Sequence, residues 1–411
     1  MLSSYYVLRP IRDEMGVAGG VEKLAWLFSA TLVAMLLVHP LYTSLVARLP
    51  RRRFVPLIYR FFMLNLVIFF LLFSVTDSVW VGRAFFIWTS VFNLFVVSVF
   101  WSLMADLYHP VQSQRLFGLV AVGGTLGSVL GASITSGLSY FVSAAALLLV
   151  SAALLEMAAW SARAVDLEAD NLAKAGWHGE LDATPSRERE IGGGVLEGIR
   201  DVARSPYLLG VALLLLFFTI TSTFLYFQQA DIVGRAFRTD RAARTRLFAN
   251  MDLVVNTLTL LTQIFLAGRV LRWLGVGLAL AVVPLLTLVG FGILATAPML
   301  AAVVLFQVIR RSANFAIQRP AREVLYTVVP RTEKYKAKNF NDTFVYRLGD
   351  QTGAWAYTAI GWFGFGLSAL AVTMVPVSAL WLLLALWLGA RYRKQRAPRA
   401  IDSEPEVARI G

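Results

Sequence analysis

The stretch PMLAAVVLFQVIRRSANFAIQRPARE, residues 298–323, sets two adjacent cations, Arg310 and Arg311, in the middle of an apolar run of membrane-spanning length. An ionisable residue at the centre of a membrane helix costs roughly 2.5–3.5 kcal/mol on insertion scales, so such residues face a polar interior and mark substrate or ion paths. The pair lies about twelve residues from one end of its run, which at 1.5 Å per residue is near the midplane. Consecutive residues point about 100° apart, so one arginine can face a cavity while the other pairs with a neighbouring helix. The alternative is that both are neutralised by Asp252 and Asp350 as structural pairs.

The rest of the chain agrees with a membrane setting. Of its 411 residues 58% are hydrophobic and only 15% charged, and the mean hydropathy is +0.66, far more apolar than a soluble core requires. There is no cysteine, which excludes disulfides and thiolate metal sites, and His39, His109 and His178 are far apart, so neither a metal nor another cofactor is expected. No glycine-rich phosphate loop, nucleophile elbow or paired catalytic carboxylates occur, and no enzyme is expected. The formal charge of +13 sits mostly in short loops beside apolar runs, where it fixes orientation in the membrane and does not form a nucleic-acid surface.

Apolar runs of spanning length fall at 22–47, 54–76, 80–106, 113–137 and 139–162, then at 206–230, 246–269, 273–296, 298–325, 340–364 and 366–391. This predicts an N-terminal bundle over 1–162, a polar cytoplasmic linker over 163–205, a C-terminal six-helix bundle over 206–392 and a polar tail over 393–411. Within the linker, Val195 to Ala203 has the pattern of a short surface helix. The uneven count is explained if Ser3 to Leu8 are the last turns of a first helix that begins upstream of Met1. Arg48 and Arg51–Arg53, Arg269 and Arg272, Lys334, Lys336 and Lys338, and the arginines after Arg391 all fall on one side of the alternating topology, which is read as cytoplasmic together with both termini. Arg235, Arg238, Arg241, Arg244 and Arg246 fall on the outer side, either as a helix resting on lipid headgroups or as a basic vestibule for anions.

The two halves repeat. Tyr5-Tyr6 and Tyr226-Phe227, Arg48 and Arg269, and Arg51 and Arg272 are each offset by 221 residues, and Pro110 with Pro330, Arg115 with Lys336, Gly127 with Gly349 and Gly131 with Gly353 by 220 to 222. A near-constant offset means two bundles of like topology, related by an axis along the membrane normal as in the major facilitator superfamily. The expected fold is therefore an all-α membrane protein, a major-facilitator-type bundle of about 11–12 transmembrane helices in two pseudo-symmetric six-helix halves. The glycines spaced by four are read as close helix contacts.

Three segments carry a resemblance: Tyr5-Tyr6-Val7-Leu8-Arg9-Pro10-Ile11-Arg12-Asp13, Phe100-Trp101, and RPAREVLYTVVPRTEKYKAKNFNDTFVYRLGDQTG from Arg319 to Gly353. Together they resemble the bacterial and plastid ATP/ADP carrier family. The resemblance implies twelve helices, a bacterial inner membrane, and counter-exchange of nucleotides or related anions, with basic residues of the first and eleventh helices holding phosphate. By position the first-helix role falls on Arg9 or Arg12. The eleventh-helix position, where the family has a lysine, is Asp350, which implies a relative with another substrate, working as an exchanger or coupled to protons.

The expected function is a secondary transporter of a small organic anion embedded in lipid. Its substrate contacts are sought among Arg9, Arg12, Arg60, Gln228, Gln229, Arg310, Arg311, Asn314 and Arg347, because arginine offers permanently charged planar donors for carboxylate or phosphate. Gln228 and Gln229 are the repeat partners of the Leu8-Arg9 region. Asp252 and Asp350 are candidates for charge pairing or proton coupling, and Arg347 shares a helix face with Asp350. Asp106 with Arg115, and Glu323 with Lys336 or Lys338, have the placement of gate salt bridges. The competing readings are a non-transporting scaffold or lipid-handling protein, and a carrier of a neutral or cationic solute.

Overall fold

Lipid cannot satisfy backbone polar groups, so apolar runs of this length must close their hydrogen bonds within helices. The computed structural model describes residues 1–48, 51–107, 110–174, 202–273 and 275–401, and among them there are long helices and no strand. The long helical runs are α1 (Leu2–Ala18), α2 (Leu24–Arg48), α3 (Arg51–Val75), α4 (Val79–Leu107), α5 (Pro110–Leu138) and α6 (Ala144–Lys174), then α7 (Pro206–Ala236), α8 (Arg241–Phe265) and α9 (Gly275–Thr296). Two further runs are compound. α10 joins Leu300–Ala313, a π-helical Asn314–Gln318 and Arg319–Leu325, and α11 joins Arg331–Phe340, a π-helical Asn341–Val345 and Tyr346–Trp362; α12 is Leu367–Ile401. Ten of the described helical runs are long and apolar enough to cross a membrane by length and composition.

The structure corrects three boundaries. α1 extends to Ala18, so it is about 25 Å long at 1.5 Å per residue and not the few turns ending at Leu8. Its second half carries Arg9, Arg12, Asp13 and Glu14, which remove it from any count of apolar spans. α6 continues through Lys174, past the expected linker start at Arg163. α8 begins at Arg241 because Asp240 caps it, its Oδ1 accepting from the Ala243 N–H at 2.8 Å; Arg241, Arg244 and Arg246 are thus helical and not in a loop. Most of Val195 to Ala203, and the end of the tail, lie outside the described residues.

The chain groups into two compact units, Met1–Arg187 with Ala230–Leu260, and Glu188–Gln229 with Leu261–Gly411. In the first, α3 lies along α6 and α1 packs on α4, α5 and α6 around a core that includes Leu8, Ile11, Leu66 and Leu147. Phe62 meets Phe92 edge-on with centroids 5.3 Å apart, and Trp88 stacks on Phe92 at 5.3 Å, an arrangement that adds to the area buried. In the second, α9 lies along α12 over Leu208, Leu280, Trp381 and Leu388. The pairing of third with sixth helix thus recurs as ninth with twelfth, as the repeat in the sequence requires.

The glycines show the same repeat in detail. A Cβ on Gly131 of α5 would collide with the Ser3 backbone of α1, and one on Gly349 of α11 would collide with the Thr219 side chain of α7. First helix on fifth, and seventh on eleventh, are therefore contacts that only a glycine permits. Gly349→Val is expected to lower stability by about 3 kcal/mol, the upper end of overpacking costs, read as a drop in thermal unfolding temperature of the purified protein. An unchanged transition would show that the α7–α11 contact yields freely.

Candidate functional site

Arg310 lies on α10 with 2% of its surface exposed. Its Nε donates to Thr287 Oγ1 at 2.9 Å, and its Nη2 donates to Thr221 Oγ1 and Ser222 Oγ, each at 2.9 Å, and to the Phe218 carbonyl at 3.4 Å. The guanidinium carbon stands 5.4 Å from the Phe218 ring centre and 6.0 Å from that of Trp381. All these partners are neutral. Among the described residues no carboxylate pairs with Arg310, and every one of its hydrogen bonds uses Nε or Nη2, leaving Nη1 for something else. The expected alternative, neutralisation by Asp252 or Asp350, does not hold for this residue, because those acids are engaged elsewhere.

Asp350, on α11, accepts from Thr223 Oγ1 at 3.0 Å and lies 3.4 Å from Arg347 Nη1, one turn away. Arg347 also lies over the Tyr346 ring, 6.0 Å from its centre. Two π-helical turns frame this part of the second unit. The Arg319 N–H bonds the Asn314 carbonyl and the Tyr346 N–H bonds the Asn341 carbonyl, each five residues back; such widened turns recur at functional sites because they re-aim the side chains that follow. Asn314 opens the first of them, half-buried, and Arg311 precedes it, also half-buried.

Gln228 and Gln229 lie in the buried part of α7. The Gln228 Nε2 donates to the Leu367 carbonyl at 2.9 Å, while the side-chain oxygens of both residues are buried without a hydrogen-bond partner. Glu323 pairs with Lys338, one of the two lysines expected at that position. Asp106 and Arg115 fall outside the residues whose side chains are described.

In the first unit, Arg9 of α1 holds Asp252 of α8 through Nη1 at 3.0 Å. Arg12 reaches its neighbour Asp13 at 3.7 Å and lies over the Phe86 ring at 4.4 Å. Arg60 is not brought to this group: it pairs with Glu156 at 2.8 Å on an exposed part of α3 and α6. The arginines from Arg235 to Arg246 divide in the same way. Arg235 pairs with Asp231 within its own helix at 2.8 Å, and Arg246 lies over Tyr140 at 5.3 Å, but Arg241 and Arg244 reach the buried Glu14 of α1 at 3.1 and 3.2 Å.

Several of these partners escape a reading of the sequence. Glu14 sits beside an Arg-Asp pair and reads as a helix-end charge; only the fold brings Arg241 and Arg244 to it. The hydroxyls around Arg310 come from Thr219-Ile220-Thr221-Ser222-Thr223, a polar step inside the apolar α7, and from Thr287. That step is the signal in the sequence that was available.

No family model and no curated protein matches this chain. Its fold is similar to the crystal structure of a bacterial homolog of the human lysosomal transporter Spinster, in an inward-facing and unoccupied conformation, with 98% of this chain and 97% of that one aligned at a TM-score of 0.52 and 15% sequence identity. The likeness gives the fold: this is an all-α integral membrane protein of major-facilitator type.

Proposed function

We propose that this chain is a secondary active transporter of a small organic anion, working by alternating access, with Arg310 supplying the fixed charge that receives the anion. The observation that carries the reading is the buried Arg310 guanidinium, surrounded by hydroxyls, a carbonyl and aromatic rings and by no carboxylate among the described residues. A buried cation without a counter-ion is costly, and an incoming carboxylate or phosphate on Nη1 offsets that cost. The likeness to the Spinster homolog supports a transporter by its fold. A neutral or cationic solute would leave Arg310 uncompensated, and a scaffold or lipid-handling role would leave the buried charge without use. Nucleotides and other phosphates or carboxylates share the required chemistry.

The setting that accords with the basic loops is a bacterial inner membrane with both termini cytoplasmic; no enzyme activity, cofactor or nucleic-acid partner is part of this reading. The test is a thermal-shift panel of carboxylates and phosphates, ATP and ADP included, followed by uptake of any stabilising anion into proteoliposomes, with and without Arg310. A panel in which no anion moves the wild-type transition, with uptake unaffected by Arg310, would remove the proposal's main support.

Asp350 is the proposed coupling group, since it accepts from Thr223 and meets Arg347 in a half-buried setting. Asp350→Asn is expected to abolish uptake driven by a pH gradient while leaving anion exchange intact. Gradient-driven uptake at the wild-type rate in that variant would show that the acid is structural.

A further inference from the structure

α8 is apolar on the outside and carries a polar stripe on its buried side. Its exposed residues include Val254, Leu258, Leu261, Ile264 and Phe265, a face suited to lipid, while its buried residues include Arg244, Thr245, Asp252, Asn256 and Thr259. Positions 252, 256 and 259 follow one another at the four- and three-residue steps of a single helical stripe. Polar residues inside a membrane usually form hydrogen bonds to a neighbouring helix. Here two of them do not: Asn256 and Thr259 are 4% and 5% exposed, yet Asn256 Nδ2 and Thr259 Oγ1 have no hydrogen-bond partner. The threonine is the sharper case. Thr89, Thr135, Thr287 and Thr358 each return the hydroxyl to the carbonyl four residues back, and Thr259 does not.

An unsatisfied buried polar group is costly, so a pair of them on one stripe points to a partner from outside the chain. At the head of the stripe, Arg9 reaches Asp252 through a single nitrogen, Nη1. We infer that the polar face of α8 lines the solute path, and that Asn256 and Thr259 are hydrogen-bonding contacts for the acceptor oxygens of a water-soluble solute passing along it. The inference rests on the transport reading and deepens it: the transported anion carries hydroxyl, carbonyl or carboxylate oxygens that two neutral donors select.

The chain has no cysteine, so single substitutions create unique thiols in the full-length protein. Asn256→Cys and Thr259→Cys are compared with Val254→Cys and Leu258→Cys on the lipid face, using the membrane-impermeant anion 2-sulfonatoethyl methanethiosulfonate on proteoliposomes. Thr239→Cys, at an exposed turn, reports full reactivity, and monodisperse elution reports folding. Because the thiolate is the reacting form and needs water, the two inner positions are expected to label at least about tenfold faster than the two outer ones. Labelling is further expected to slow in the presence of at least one of tartrate, glycerol 3-phosphate or ATP. Inner positions that label no faster than the lipid face overturn the path. Fast labelling that none of the three solutes slows overturns the contacts. If labelling follows the inner stripe but uptake survives the loss of Arg310, the anion reading fails and the path along α8 stands.

Discussion

Arg310→Met is expected to abolish uptake of the anion that stabilises the wild-type protein, a fall of at least about 100-fold, equivalent to about 2.8 kcal/mol at 1.4 kcal/mol per tenfold. The same variant is expected to fold. Thr221, Ser222 and Thr287 each already donate to a backbone carbonyl of their own helix, to Phe217, Phe218 and Val283 at 2.8, 2.6 and 2.7 Å. Removing the guanidinium therefore strands no donor. Methionine fills much of the space between Phe218 and Trp381 with an unbranched, adaptable side chain, and the cost of burying an unpaired cation disappears. Stability and transport should separate, with a thermal transition near that of the wild type and no saturable uptake. Arg310→Lys keeps the charge but not the planar fork that engages four acceptors, so it should retain binding more weakly than wild type. Uptake by Arg310→Met within twofold of the wild type would show that the residue is structural.

Much of the fold was legible because its strongest determinants are local. Apolar runs of spanning length, the recurrence of Gly127 and Gly131 as Gly349 and Gly353, and the central position of Arg310 can all be read along one strand of sequence. The structure then gives these glycines matching neighbours, Ser3 in one unit and Thr219 and Ile220 in the other. α1 was shortened in the sequence reading because hydropathy penalises Arg9, Arg12, Asp13 and Glu14, and these charges are tolerated only where distant partners meet them. The partners were not legible: Asp252 and Arg244 lie more than two hundred residues from Arg9 and Glu14, and no local pattern pairs them. The π-helical turns at Asn314 and Asn341 were likewise hidden, since a widened turn leaves the apolar periodicity of a membrane helix almost unchanged.

Glu14→Gln is expected to produce the largest loss of stability among changes in the first unit. The Glu14 carboxylate accepts from Arg241 Nε and Nη2 at 3.1 and 3.3 Å, and Arg244 Nη2 reaches it at 3.2 Å. Glutamine keeps the shape but removes the charge that holds two guanidiniums. Arg241 is half exposed and also lies 3.8 Å from Asp77, so it can turn toward water; Arg244, with 7% of its side chain exposed, cannot. Leaving one member of a buried pair uncompensated costs about 3–5 kcal/mol, on the order of 10 °C in the thermal transition. The double variant Glu14→Gln with Arg244→Met should recover much of that loss, because the stranded charge is then gone and the two sites are in contact. If instead the two losses add, the clamp contributes nothing as a pair, and the link between α1 and α8 rests on the Arg9–Asp252 bond and apolar packing alone.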